Sequence, residues 1–592
     1  MGNRAQGCAT LVAVVALGTL PTGVAAQVTT CALERTEGDT YRGVCRGWGM
    51  ERPISLSLTT ANRVFPWTGT VEGASGPGPV HLAPPSEAGY ARGAIRTFGF
   101  AFDDLQSFSL AGDSLTFSFD AYAGADPSAL DREILERARE ILETSGWNQR
   151  ERGRCPEPGA AVGLRCALEQ ASSEVVGFSD PGQPARVMAQ SIVAEVAAGR
   201  RDIDDLRNFN NDPDRMEDEV LRILERAVQR VDAGFELRYP RSLGRDEGLS
   251  AAVALGDVDG DGDLDVLVAN GTHWPGQNVV VFNSGVAQGA FTLERPLGLG
   301  RAASYRIQLA DLDADGDLDA AVANDRAPNL LFLNRGDGWF DPSGSFGDPQ
   351  APSRDLEVGD LDGDAALDLF VLDRDGPSEI CFNDGTAGFA DCRVFAGQPS
   401  AIKIALGDMN EDGALDLVLA NQYASQNYIF LNDGTGGFTE RRPFGTGTDE
   451  TLTVAVGDLD NDGHLDIVTG NTFQPGGVYY GDGTGGFVAG TTLGKGADTY
   501  RVTLGDIDLD GDLDALFANA WEVNWLYLNR GGREGFDEFE FGSPLTWTLG
   551  LAIGDVSGDG VPDVVEANDE GENRIYLGRI HRRPGQAARD RR

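Results

Sequence analysis

The sequence predicts a mainly β protein: a seven-bladed β-propeller on the C-terminal side, preceded by a region that is first β and then α. Three observations predict it. The pattern Asp-x-Asp-x-Asp-Gly-x-Leu-Asp recurs seven times, beginning at Asp257, Asp311, Asp360, Asp408, Asp458, Asp506 and Asp555, with starts 54, 49, 48, 50, 48 and 49 residues apart. Each unit around it reads as four short strands, which is the period of a propeller blade. One Gly-Phe strand, Gly234 to Tyr239, stands in surplus before the first unit, and the last unit lacks its own after Leu577. The surplus strand is expected to complete blade seven, closing the ring and removing both exposed edges.

A chain of 592 residues exceeds one ordinary core, so several domains are expected. Residues 1–26 read as a secretory signal: Arg4, an apolar run from Ala9 to Leu20, then small residues at Val24-Ala25-Ala26. The run is short for a membrane anchor. The expected location is therefore secreted, periplasmic or at the cell surface, without membrane insertion.

Residues 27–123 read as a β-rich domain. Phe98, Phe100 and Phe102 share one face of an extended segment, and Leu115 to Phe119 alternates as a half-buried strand does. Gly73 to Pro79 reads as a turn. Residues 124–233 read as helical. Asp126-Pro127 opens a stripe of Leu130, Ile134, Leu135, Ala138, Ile141 and Leu142 that Gly146 ends. Val187, Met188, Ile192, Val193 and Val196 mark a second helix. Asp212-Pro213 opens a third with Met216, Val220, Leu221, Leu224 and Val228. Residues 234–580 hold the propeller, and 581–592 read as a disordered basic tail.

Seven cysteines are present, and Cys8 lies in the signal. The others form three close pairs, so 31–45, 155–166 and 381–392 are the simplest of fifteen connectivities in an oxidising compartment. The formal charge of -45 disfavours nucleic acid and anionic lipid as partners. Many of the acids, however, lie in the repeated loops.

Those loops carry the chemistry of a calcium site, because calcium takes 6–8 oxygen ligands. Positions 1, 3, 5 and 9 offer side-chain oxygen, position 7 its carbonyl, and Gly at position 6 allows the turn. The candidate ligands are Asp257, Asp259, Asp261, Asp263 and Asp265 in loop one, and Asp311, Asp313, Asp315, Asp317 and Asp319 in loop two. Loop three offers Asp360, Asp362, Asp364 and Asp368, loop four Asp408, Asn410, Asp412 and Asp416, and loop five Asp458, Asp460, Asp462 and Asp466. Loop six offers Asp506, Asp508, Asp510 and Asp514, and loop seven Asp555, Ser557, Asp559 and Asp563. At positions 1, 3, 5 and 9 together, 26 of 28 residues are Asp, and so many close carboxylates repel without a cation. Up to seven calcium ions are expected. Loop three has Ala365 in place of Gly and loop seven has Pro562 in place of Leu, so these two are expected to bind most weakly. The Leu at position 8 is expected to anchor the loop in the core. The ring of His464, at position 7, is expected to be a bystander.

With its Asp loops, its Asn-x-Leu-Phe-Leu-Asn strands such as Asn329–Asn334 and its Gly-Phe turns, the segment 234–580 resembles the FG-GAP, or VCBS, repeat family, known best from the propeller of integrin α subunits. The resemblance implies calcium between the first and second strands of each blade, and ligand binding on the opposite face. Residues 27–233 carry no such resemblance.

On that opposite face the second-to-third strand loops hold Trp274, Tyr423, Phe473 and Trp521. Arg306, Lys403 and Arg501 stand five residues before their Asp loops, beside Tyr305, Arg354 and Tyr500. Aromatics beside cations suit an acidic sugar or a carboxylate-bearing protein segment. The four histidines form no HExxH. Gly112-Asp113-Ser114-Leu115 matches a GDSL block but has no Asp-x-x-His downstream, so a turn is expected there. No catalytic residue is assigned. The expected function is a secreted, monomeric calcium-binding propeller that binds or adheres to a glycan or protein ligand. The alternative is a polysaccharide lyase or hydrolase working at the channel mouth.

Overall fold

A computed structural model describes residues 129–580, apart from 151–154, 177–183, 198–204, 214, 234, 245–248, 284–290, 375, 396–400 and 570, together with the backbone of eight strands between Val28 and Asp120. The expected signal, the Phe98–Phe102 segment and the tail 581–592 lie outside the described residues, as do the side chains of Cys31 and Cys45.

The eight N-terminal strands form a closed antiparallel barrel, in which Val28–Glu37 pairs with Ser114–Asp120. Its register sets position 31 opposite position 45. Gly73 and Gly76 pair across a hairpin, so the expected turn occupies only its tip. Ala111 and Ser114 pair likewise, which puts a hairpin at the GDSL-like block.

Among the described residues five helices follow: α1 (Ala129–Ser145), α2 (Leu164–Val176), α3 (Pro184–Ala197), α4 (Leu206–Asn211) and α5 (Glu217–Ala233). The apolar stripe of α1 packs inward, and Gly146, at φ 85°, donates its N–H to the carbonyl of Leu142. Sequence periodicity missed α2 and α4. Asp212 caps the C-terminus of α4 and does not open α5, and Met216 is 62% exposed ahead of α5, outside the expected stripe. Disulfides join Cys155 to Cys166 and Cys381 to Cys392. Among the described residues no helix is long and apolar enough to cross a membrane.

The rest is a seven-bladed propeller of four-stranded antiparallel sheets. In blade one the strands are Ser250–Gly256, Asp265–Asn270, Val279–Asn283 and Phe291–Pro296. Second strands are buried along their whole length, as expected for sheets covered on both faces. Blade seven takes its outer strand from Phe235–Ser242, which pairs with Arg574–Ile580. The ring is thus closed by the surplus strand.

Asparagines join the blades on both faces. Asn329 Nδ2 donates to Ser353 Oγ of blade three at 3.2 Å, and Asn573 does the same to Ser250 at 2.8 Å across the closure. At the other end of the third strands, the side chains of Asn283, Asn334, Asn383, Asn432 and Asn529 each reach a carbonyl in the Asp loop of an adjacent blade, at 2.7–2.8 Å, and Asn283 does so across the closure to blade seven.

The helices dock on blades six and seven. Buried Glu195 of α3 accepts from Arg226 at 3.0 Å and from Arg230 at 2.7 Å, both on α5. The two arginines also donate to the Glu540 carbonyl, and Arg230 to the Leu237 carbonyl.

Candidate functional site

Each Asp loop is held by its own backbone. In loop one, Asp257 accepts from the N–H groups of Gly260 and Gly262, and Asp261 accepts from that of Asp263. Asp265, at position 9, accepts from Val258 of the loop and from Asn283 at the end of the third strand, 2.8 Å away. The bond from the third strand recurs at Asp319, Asp368, Asp416, Asp466, Asp514 and Asp563. Burial pushes these position-9 carboxyls up, to about 6 at Asp319 and Asp368, about 7 at Asp265 and about 8 at Asp514. A bound cation would oppose that shift.

Two left-handed residues, not one, shape each loop. Position 6 has φ 94° at Gly262 and φ 74° at Ala365, and position 4 has φ 75° at Gly260, 59° at Glu411 and 58° at Leu509. Position 4 went unrecognised in the sequence, although Gly260, Gly363, Gly558 and Asn461 hint at it. Loop three keeps the common path, with Ala365 N–H on Asp360 at 3.0 Å. In loop seven, Asp563 bonds the N–H of Ser557 where its counterparts bond position 2.

The deepest anchor is position 2, where Val258, Leu361 and Ile507 are buried. The Leu at position 8 is only half-buried and packs sideways: Leu415 lies over Gly359 and Leu264 over Gly554, each in the preceding blade. Pro562 makes no such approach to Gly505, which meets Ile553 instead.

In loops one, two, three and five, three carboxylates each bring an oxygen within 4.8 Å of the others. Asp259 Oδ1 and Asp362 Oδ1 are shielded from solvent and have no hydrogen-bond partner. Such unspent acceptors, gathered with other carboxylates, suit a hard divalent cation. In loops four and six, Asp408, Asn410, Asp412, Asp416, Asp506, Asp508, Asp510 and Asp514 follow the same loop path, and in loop seven Asp555 and Asp559 accept the matching backbone bonds. Loop five also has a cation of its own, since Arg533 pairs with Asp460 and Asp462. The His464 ring binds Glu411 of loop four, which raises its pKa.

The opposite ends of the first strands line a funnel. Every first strand is bulged six residues before its Asp loop, for example between Ser304 and Arg306. Bulges re-aim side chains at such rims. The residues at the bulge are Ala251, Tyr305, Arg354, Ile402, Leu452, Tyr500 and Leu549, and all of them line a cavity of about 240 Å³ together with Trp547, His273 and Lys403. Trp547 packs edge-on to Tyr500, with centroids 5.5 Å apart, and lies near Trp521 and His273. Arg354 stacks on Tyr305 at 3.7 Å and pairs with Asp325.

The cations expected beside the aromatics are arranged differently. Arg306, Lys403 and Arg501 do not stand free at the mouth, because Asp355 occupies the same offset in blade three. Arg306 approaches Asp355 at 3.5 Å and binds Glu357 at 2.8 Å, while Lys403 reaches Asp355 at 3.3 Å. Burial works against the charge of Asp355, but Lys403, Arg306 and Arg501 outweigh it and hold its carboxyl below the usual range. Burial lowers Lys403 to about 8 and Arg501 to about 10.

The four aromatics stand out in solvent: Trp274 71%, Tyr423 72%, Phe473 77% and Trp521 51% exposed. Tyr423, Phe473 and Trp521 occupy the same loop position in three successive blades, with left-handed φ of 63°, 50° and 56°. Bulky residues rarely adopt that conformation, and strain of this kind clusters at functional sites.

The fold is a closed, repeat-built propeller with acidic, cation-competent loops on one face and an aromatic funnel on the other. Residues 257–322, 311–371, 360–419, 408–469 and 507–566 each match the FG-GAP-like repeat, and the domain is an FG-GAP-repeat seven-bladed propeller. Residues 126–230 match a family of unknown function (DUF6197). No curated protein matches the chain. Two solved structures of BBS1N in complex with ARL6DN are similar at 13% identity. The one soaked with mercury has a TM-score of 0.42 and covers 59% of this chain and 97% of that one. The one soaked with lead has a TM-score of 0.41 and covers 58% and 96%.

Proposed function

We propose that the protein is an exported, calcium-binding recognition propeller that holds a glycan or protein ligand at the funnel face. The observation that carries this is the pairing of an aromatic-lined funnel with three solvent-facing aromatics in left-handed backbone. Apolar aromatic surface left open at that conformational cost suits a binding face. Calcium is the cation of choice because the loops offer only hard oxygen ligands. Asp257, Asp259 and Asp265, with their counterparts in the other loops, would hold it. When bound it would neutralise the clustered carboxylates and brace each loop.

The experiment is a binding screen of the purified protein against glycan and protein ligands, with calcium and with chelator. It is repeated with Tyr423→Ala, Phe473→Ala and Trp521→Ala combined. Loss of a calcium-dependent ligand in the triple variant, with an unchanged melting temperature, is expected. Retained binding would move the ligand off this face. The enzymatic alternative has no specific observation in its favour.

A further inference from the structure

The funnel has a definite chemistry from mouth to floor. Its wall is mainly apolar and aromatic, with Ile402, Leu452 and Leu549 beside Tyr500 and Trp547. No Asp or Glu is among its described lining residues, although the whole chain carries a charge of -45. Thr272, His273 and Gln422 add polar edges to the wall. Its floor is different. Arg306, Asp355, Glu357, Lys403 and Arg501 come from the innermost strands of four blades and meet in one ionic cluster.

Three cations meet two carboxylates at that floor. Both carboxylates are already engaged: Asp355 with Arg306, Lys403 and the N–H of Ile404, and Glu357 with Arg306 and Gln308. Lys403 both lines the funnel and belongs to the floor, with one contact to Asp355 at 3.3 Å, so an ammonium proton remains for an incoming acceptor. Arg354 and Arg374 also line the funnel, Arg354 paired with Asp325, so its inner end favours an anionic group such as a carboxylate. A polyanion would meet an acidic surface outside. At about 240 Å³ the cavity is smaller than an ordinary drug-sized pocket and holds about one large residue.

We propose that the funnel captures the C-terminal residue of a partner polypeptide, its carboxylate at the Lys403 end of the floor and its apolar or aromatic side chain against Tyr500 and Trp547. The proposal rests on the funnel face being the ligand face and names what enters it. A cavity of one-residue size suits a chain end, the cationic floor suits its carboxylate, and the apolar wall suits the last side chain.

The test uses the full chain with calcium and a library of random hexapeptides, made once as free acids and once as C-terminal amides. Enrichment of free acids ending in apolar or aromatic residues is expected, with amides bound at least about tenfold more weakly, the usual cost of a lost charge-assisted bond. Lys403→Gln should weaken the free acids about tenfold and leave the amides unchanged. Because Lys403→Gln disturbs a buried ion cluster, Leu452→Trp provides a second arm: it fills the mouth without touching the floor and should abolish capture at an unchanged melting temperature. Equal enrichment of acids and amides, or enrichment of neither, overturns the proposal, as does stronger binding of glucuronic acid than of any peptide acid. If Leu452→Trp blocks some other ligand, the terminus assignment falls while the ligand face stands. If neither Leu452→Trp nor the aromatic triple variant affects any ligand, both fall.

Discussion

Asn334 donates its side-chain amide to the carbonyl of Val258 at 2.8 Å, 76 residues earlier in the chain, so blade two holds the Asp loop of blade one. Both groups are buried, and Val258 is the second residue of that loop. Asn334→Ala leaves the carbonyl unpaired and should cost about 1–3 kcal/mol. It should also weaken cation binding in loop one and spare loop five. Thermal unfolding with and without calcium, compared with Asn529→Ala, which frees the Leu459 carbonyl of loop five, would show whether the effect stays local.

Removing calcium should lower the melting temperature strongly. With dissociation constants of about 10⁻⁴–10⁻³ M, about 1 mM calcium adds roughly 0.4–1.4 kcal/mol per site, so seven sites approach the stability of a typical domain. A melting curve that is the same in chelator and in calcium would sink the calcium assignment.

Ala365 sits at φ 74° in loop three, where an L-residue costs about 1–2 kcal/mol over glycine. Ala365→Gly should therefore stabilise the protein by about 0.5–1 kcal/mol after the unfolded-state entropy of glycine is deducted. Denaturant titration is the check, and a destabilised variant contradicts the strain.

Arg230→Met should cost about 3 kcal/mol, because Glu195 is fully buried and Arg226 alone cannot replace the second ion pair. Arg222→Met, in an exposed pair with Asp218, should change stability by less than about 0.5 kcal/mol. Similar losses in both variants would refute the inference that the buried cluster locks the helices onto blades six and seven.

Burial lowers Lys403 to about 8, while the groups facing it, Asp355 from blade three, Arg306 from blade two and Arg501 from blade six, keep their charge at neutral pH. Raising the pH from 7 to 9 removes the Lys403 proton. Affinity for a free-acid peptide should fall across that window, and affinity for the matching amide should not. Calorimetric titration at the two pH values is the check.

The propeller was legible because carboxylates stand at fixed positions in every loop, and the repeat made every blade announce itself. Closure was legible for a simpler reason, an extra strand at one end and a missing one at the other. The floor of the funnel was not. Counting cations at one offset found Arg306, Lys403 and Arg501 and passed over Asp355 at the same offset, where the signal lay open. The inter-blade roles of Asn334 and Asn573 need spatial neighbours that no local pattern supplies. Helix α2 was missed because its Leu164, Ala167, Leu168 and Ala171 face is built mostly of small residues. The role of Glu195 on α3 is fixed by arginines on another helix.

The strand that completes blade seven emerges from synthesis more than three hundred residues before its partner, as the contact between Ser242 and Glu572, 330 positions apart, makes plain. Through most of translation that strand has no sheet to join, and its unpaired edge is a template for the wrong neighbour. Pairings so distant in sequence form late. Because the strand follows α5 directly, the helices are the first structure able to shelter it. Their contact with Leu237 then becomes a temporal safeguard: a holding station for one half of a clasp whose other half has yet to be made.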